Sequence, residues 1–171
     1  MTERIDTPPA VDAALKRLAS APERATGVAL PLRPEAWDTP VAGEWTRRET
    51  LAHLASNDLR AMVRIRAALG EAGPEELAAL ADTDAWNREQ VRSRAGASVE
   101  ALLTEYRANR RALVRLLGSI PPEHFEELAV ERAGERITLA EYVSRIDRHD
   151  DEHIAQIGAP PVGEKGDADA G

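Results

Sequence analysis

Two capping boxes, Thr46-Arg47-Arg48-Glu49 and Thr138-Leu139-Ala140-Glu141, each stand directly before a long run with apolar residues every three or four positions. In such a box the Thr hydroxyl accepts from the amide three residues on while the Glu side chain reaches back, so each marks a helix start. The first run carries Leu51, Leu54, Asp58, Met62, Ile65 and Leu69 and stops at Gly70, predicting a helix over about 46–69. The second carries Leu139, Val143, Ile146, Ile154 and Ile157 and stops at Gly158; Ile137 and Tyr142 are placed to form a hydrophobic staple across its start. Two further stripes complete the pattern. Val11, Leu15 and Leu18 follow Pro8-Pro9 and predict a helix from about Pro8 to Leu30, with Pro22 as a point where it can break. Ser98 is an N-cap for a helix bearing Leu102, Leu103, Tyr106, Leu113, Leu116 and Leu117, closed by Gly118 and Pro121-Pro122.

Four stripes must bury one another, which implies an all-α four-helix bundle. The intervening pieces read as a mostly non-helical crossing segment over 31–45, a polar connector from Gly73-Pro74, and a short helix Asp82–Arg94 carrying Trp86 and Val91. Between Glu123 and Ile137 lies a connector with a small hairpin around Gly134. A chain of 171 residues suits one domain, read as residues 1–158, with the Pro/Gly/Asp-rich stretch 159–171 as a disordered tail.

With no cysteine, thiolate zinc sites, iron–sulfur clusters and cysteine nucleophiles are excluded, so a metal must bind through His, Asp or Glu. A net charge of −8 supplies no basic field for nucleic acid. The opening residues lack the layout of a signal peptide and no apolar run approaches the ~18 residues of a membrane span, so the chain reads as cytoplasmic.

Four histidines remain: His53, His124, His149 and His153. His149 and His153, at i,i+4 on the last helix, lie on one face close enough to share an ion. His53 sits near the start of the second helix. An antiparallel pairing of the two brings three imidazoles to one end of the bundle, and the helical wheel places them at its solvent-reachable mouth rather than the inner core. Three neutral imidazoles leave positions for water and substrate, the arrangement of a catalytic site, and suit zinc, nickel, iron(II) or cobalt. Each ligand needs an acceptor for its other ring N–H. Asp150 and Gln156 lie near the pair, the alternative for Asp150 being an ordinary cap or salt-bridging carboxylate, and Asn57 faces either this space or solvent. His124 reads as an exposed connector residue. Ser144, Ser56 and Thr104 have no visible base partner, and Trp37, Trp45 and Trp86 read as packing residues.

Glu44-Trp45-Thr46 with Leu51-Ala52-His53-Leu54, the central Asp84-Ala85-Trp86-Asn87-Arg88, and the run Asp147–Ile157 containing His149-Asp150-Asp151-Glu152-His153 resemble the DinB superfamily over about Val11 to Gly158. The resemblance implies an up-down-down-up bundle of DinB/YfiT type, homodimeric, with a divalent metal on His53, His149 and His153. It further implies a metal-dependent S-transferase or isomerase that uses a low-molecular-weight thiol (bacillithiol, mycothiol or glutathione) on a small electrophilic substrate. The alternative is a non-catalytic, stress-associated dimeric bundle braced by its metal. Two arginine groups, Arg60, Arg64 and Arg66 on the second helix and Arg107, Arg110 and Arg111 on the third, either recognise an anionic thiol or are solvated helix faces.

Overall fold

The computed structural model describes residues 9–42 and 45–160. Four long helices dominate it: α1 (Pro9–Ala29), α2 (Arg47–Ala68), α5 (Val99–Gly118) and α7 (Leu139–Gly158). Three short ones interrupt the connections: α3 (Pro74–Ala78), α4 (Thr83–Ser93) and α6 (His124–Glu127), together with a 3-10 turn at Pro34–Asp38. The bundle is therefore mostly helical without being only four helices. Gly73-Pro74 starts a helical turn where a connector is expected, because Glu76 accepts from the amide of Gly73. The segment before α2 folds into a two-stranded ribbon, β1 (Pro40–Ala42) with β2 (Trp45–Thr46). The expected hairpin is β3 (Ala129–Arg132) with β4 (Glu135–Thr138), closed by Ala133 and Gly134, both at positive φ as a type I′ turn requires. Of the expected tail, 159–171, only Ala159 and Pro160 are described, and the rest lies outside the described residues.

Cross-helix bonds fix the directions. Arg17 reaches Asp147 and Asp151 while Arg24 reaches Asp151, so α1 and α7 run parallel. Arg48 meets Ala97 and Arg110 meets Asp58, so α2 and α5 also run parallel. Arg110 on Leu18 and Arg107 on Thr26 set α5 antiparallel to α1. Arg47 on Ile157 and His53 on His149 set α2 antiparallel to α7. Among the described long helices the sense is up, down, down, up.

Local chemistry explains the boundaries. The box at Thr46 is complete, Thr46 Oγ1 accepting from the Glu49 amide at 3.2 Å and Glu49 accepting from the Thr46 amide at 2.8 Å. At Thr138 only half of the box forms: its hydroxyl caps the Glu141 amide, but Glu141 turns away to pair with Arg145. α2 ends in a Schellman motif, the Glu71 amide donating to Arg66 and that of left-handed Gly70 to Ala67. Pro22 does not break α1. Proline supplies no amide to the carbonyl of Leu18, and the Arg110 guanidinium donates to that carbonyl instead, at 3.1 Å.

Two apolar clusters fill the bundle. One holds Leu18, Ile65, Leu113, Leu117, Leu139, Val143 and Ile146; the other Ala25, Leu51, Leu54, Leu102, Tyr106, Ile154 and Ile157. Between them lies a buried charged layer of Asp58, Arg110 and Asp150. Arg110 forks onto both oxygens of Asp58 at 2.8 and 2.9 Å and approaches Asp150 at 2.6 Å.

Candidate metal centre

Helix pairing brings His53, His149 and His153 together, each offering one ring nitrogen within 4.8 Å of the others. His149 and His153 are neighbours on α7 through their i,i+4 spacing. α2 supplies His53 because the guanidinium of Arg47 ties its first turn to the last carbonyls of α7, accepting none and donating to Ile157 at 2.9 Å and to Ala159. That contact satisfies carbonyls that a helix end otherwise leaves orphaned and suits the negative end of its dipole. On the far flank of α7 the pairs of Arg17 and Arg24 with Asp147 and Asp151 hold the helix at the rotation that turns both histidines toward α2.

The ring centroids stand 5.0 Å apart for His53 and His149, 4.9 Å for His53 and His153, and 4.4 Å for His149 and His153. His53 Nε2 and His149 Nε2 approach to 2.9 Å. Trp45 covers the other side of His53, with centroids 4.8 Å apart, so His53 is only 3% exposed, deeper than its place on the helix flank implies. His149 and His153 are half-buried and give the site its solvent side.

The environment strips His53 of its proton. Burial chiefly, then the neighbouring His149 and His153 and the charge of Arg60, pulls its pKa down from 6.5 to about 2. Burial and His149 also lower that of His153. An imidazole must be neutral to bind a metal, so these lone pairs are available at physiological pH without proton loss. His153 places Nδ1 2.7 Å from Gln156 Oε1, the partner expected from the sequence, which leaves its Nε2 free. His149 Nδ1 faces Asp150 Oδ1 at 3.6 Å, beyond hydrogen-bond length. The Nδ1 atoms of His53 and His149 are buried without a partner. Donors lying within 4.8 Å of one another are a set that could hold one divalent ion, and it would relieve two ring nitrogens that otherwise face one another. The three imidazoles therefore fit such an ion.

The remaining candidates are placed as follows. Asp150 is fully buried and committed to Arg110, which makes it a salt-bridging carboxylate as well as the neighbour of His149. Asn57, buried rather than solvated, accepts from Arg60 at 2.7 Å and lines the same cleft as His149. His124 is half-buried in α6 and apart from the cluster, not exposed. Of the two arginine groups, Arg66 pairs with Glu76, Arg107 donates to Thr26, exposed Arg111 to the carbonyl of Arg107, and Arg110 belongs to the charged layer. Arg60 alone lies beside the histidines. Sequence reasoning missed the roles of Trp45, Arg47 and Arg110. For Arg110 a signal was present: with Tyr106, Leu113 and Leu117 it occupies an apolar stripe, as Asp58 does on α2 and Asp150 on α7.

The depressed basicity of His53 has a measurable consequence. Below pH 6.5 the unfolded chain takes up a proton that native His53 refuses, so stability is present above that pH and lost as pH falls. His53→Gln removes this titration. In metal-free protein the variant is expected to gain on the wild type by up to about 1.4 kcal/mol per pH unit below pH 6.5. Denaturant unfolding of both at pH 7, 6 and 5 measures the gap; a gap independent of pH would mean that His53 takes up its proton alike in the folded and unfolded chain.

A profile of the DinB superfamily matches residues 17–157. A search of curated proteins gives no match. Among solved structures the fold is similar to one described as "YfiT from Bacillus subtilis is a probable metal-dependent hydrolase with an unusual four-helix bundle topology", with a TM-score of 0.68 at 20% identity over 92% of this chain and 89% of that one. Among the described residues no helix is long and apolar enough to cross a membrane.

Proposed function

The chain belongs to the DinB superfamily, and from that premise we propose that it is a divalent-metal-dependent enzyme whose metal, zinc, nickel or iron, sits on His53, His149 and His153. The observation that carries this reading is the convergence of three ring nitrogens from two helices, at least one of them held neutral by burial. Bound there, a divalent ion supplies Lewis acidity that makes a thiol or water nucleophilic at neutral pH. The chain's own residues do the rest. Gln156 orients His153, Trp45 shuts water from the inner side of His53, and half-exposed His149 and His153 leave the outer side open to a small molecule.

The nucleophile we assign is the sulfur of a low-molecular-weight thiol of the bacillithiol, mycothiol or glutathione kind, in an S-transferase or isomerase acting on a small electrophile, as a cytoplasmic homodimer. The likeness to YfiT favours one competing reading, hydrolysis with water in place of the thiol. Both are tested on metal-loaded protein with each thiol and 1-chloro-2,4-dinitrobenzene, alongside a panel of ester and amide substrates. Thiol consumption that disappears on chelation and returns with metal supports the transferase. Metal-dependent hydrolysis indifferent to thiol replaces it with the hydrolase, and turnover that survives chelation overturns the metal mechanism. Stoichiometric metal with no turnover at all leaves the non-catalytic, stress-associated bundle.

A further inference from the structure

Eight of the described arginines meet carboxylates. Arg17, Arg24, Arg48, Arg66, Arg92, Arg94 and Arg145 each do so outside the core, and Arg110 does so within it. The other described arginines pair with no carboxylate within 4.0 Å among the described residues, and three of these, Arg60, Arg64 and Arg132, line one cavity of about 260 Å³ beside the hairpin turn. Arg60 has only neutral acceptors, Asn57 at 2.7 Å and Asn87 at 3.3 Å, and its guanidinium lies 5.4 Å from the ring centre of Trp86, which fixes its plane. Arg64, 8% exposed, donates one N–H to the Glu131 carbonyl at 3.1 Å, while its Nε is buried with no partner. Burial, together with the charges of Arg64 and Arg132, makes Arg60 easier to deprotonate than an ordinary guanidinium. Like charges have been collected and partly dehydrated in a chain whose net charge is −8.

The cavity is also joined to the candidate centre. Arg60, Arg132 and Tyr142 form walls both of this cavity and of a narrow cleft that His149 and Asn57 line. Asp84 offsets one of the three cavity charges, leaving an excess of two. We infer that this cavity is a binding site for a small organic anion, whose carboxylate or phosphate oxygens sit among Arg60, Arg64 and Arg132 while its other end points along the cleft toward His149. Guanidiniums match such oxyanions through forked, charge-assisted hydrogen bonds, and the unpartnered Nε of Arg64 is a donor awaiting one. Calling that anion the substrate, or the anionic end of its thiol partner, rests on the function proposed above; the anion site itself does not.

The test is calorimetric titration of the full chain, chelator-treated and metal-loaded, with succinate and with inorganic phosphate as separate probes. At least one probe is expected to bind in both states. Arg132→Gln, at a half-buried hairpin position, and Arg60→Gln are each expected to weaken it about tenfold or more, with metal stoichiometry unchanged. Arg111→Gln, exposed on α5, is the control and keeps wild-type affinity. Succinate alone would identify a carboxylate ligand and phosphate alone a phosphorylated one. Failure of both probes, or an Arg132→Gln affinity equal to wild type in a folded variant, overturns the inference. Anion binding by a chain that takes up no metal overturns the metal reading and leaves this site standing; metal uptake without anion binding does the reverse.

Discussion

His149→Ala is expected to abolish stoichiometric metal binding and leave the helix content intact. The side chain of His149 is about a quarter exposed, so truncating it opens no large core cavity and costs little stability. The loss to the site is large, because His149 is one of only three imidazoles in it, 2.9 Å from His53 through Nε2 and 4.4 Å from His153 between ring centres. Structural zinc sites bind with about 10–16 kcal/mol, so one ligand in a small set is worth roughly 3 kcal/mol, or a hundredfold in affinity and more. The measurement is elemental analysis of untagged protein with competition against a chromophoric chelator. His124→Ala, in α6 and apart from the cluster, should keep wild-type metal content. Stoichiometric metal in His149→Ala at wild-type affinity would sink the three-histidine centre.

The sequence made some of this plain and hid the rest for physical reasons. Helix starts were legible at Thr46, Ser98 and Thr138 because a short polar side chain satisfying an N-terminal amide is a local event, and the structure shows each bond. The histidine pair on α7 was legible because helical periodicity is also local. What could not be read was contingent on distant partners. Pro22 looks like a helix breaker until Arg110 arrives from α5 to occupy the carbonyl that proline leaves free. Glu141 looks like half of a capping box until Arg145 draws it away. The depth of His53 depends on Trp45, which is delivered by a ribbon only two residues long on that side. Charged residues in apolar stripes announce that something is buried with them, but only the packing of three helices reveals that Asp58, Arg110 and Asp150 are buried together.

That charged layer carries the other large expected effect. Arg110→Met should destabilise the metal-free protein by about 3–5 kcal/mol, since it strands two carboxylates and the Leu18 carbonyl in the core. For a chain of this size the melting temperature should fall by roughly 6–20 °C. The two aspartates are not equivalent: burial pushes Asp58 up to about 6 against the pull of Arg110, whereas Arg110 and His149 hold Asp150 below the usual carboxylate range in spite of its burial. One guanidinium cannot neutralise two carboxylates, so the layer is poor material for stability alone. Replacing all three with apolar residues, Arg110→Met with Asp58→Leu and Asp150→Leu, should therefore recover most of the loss. Metal affinity separates structural from positioning roles. Asp150 is the acidic group nearest Nδ1 of His149, so the apolar triple variant should be stable yet bind metal about 10–100-fold more weakly. Asp150→Asn with Arg110 intact should lie between it and the wild type. Wild-type affinity in a stable triple variant would show that the layer only fills the core; a triple variant no more stable than Arg110→Met would show that the charges hold the helices in register.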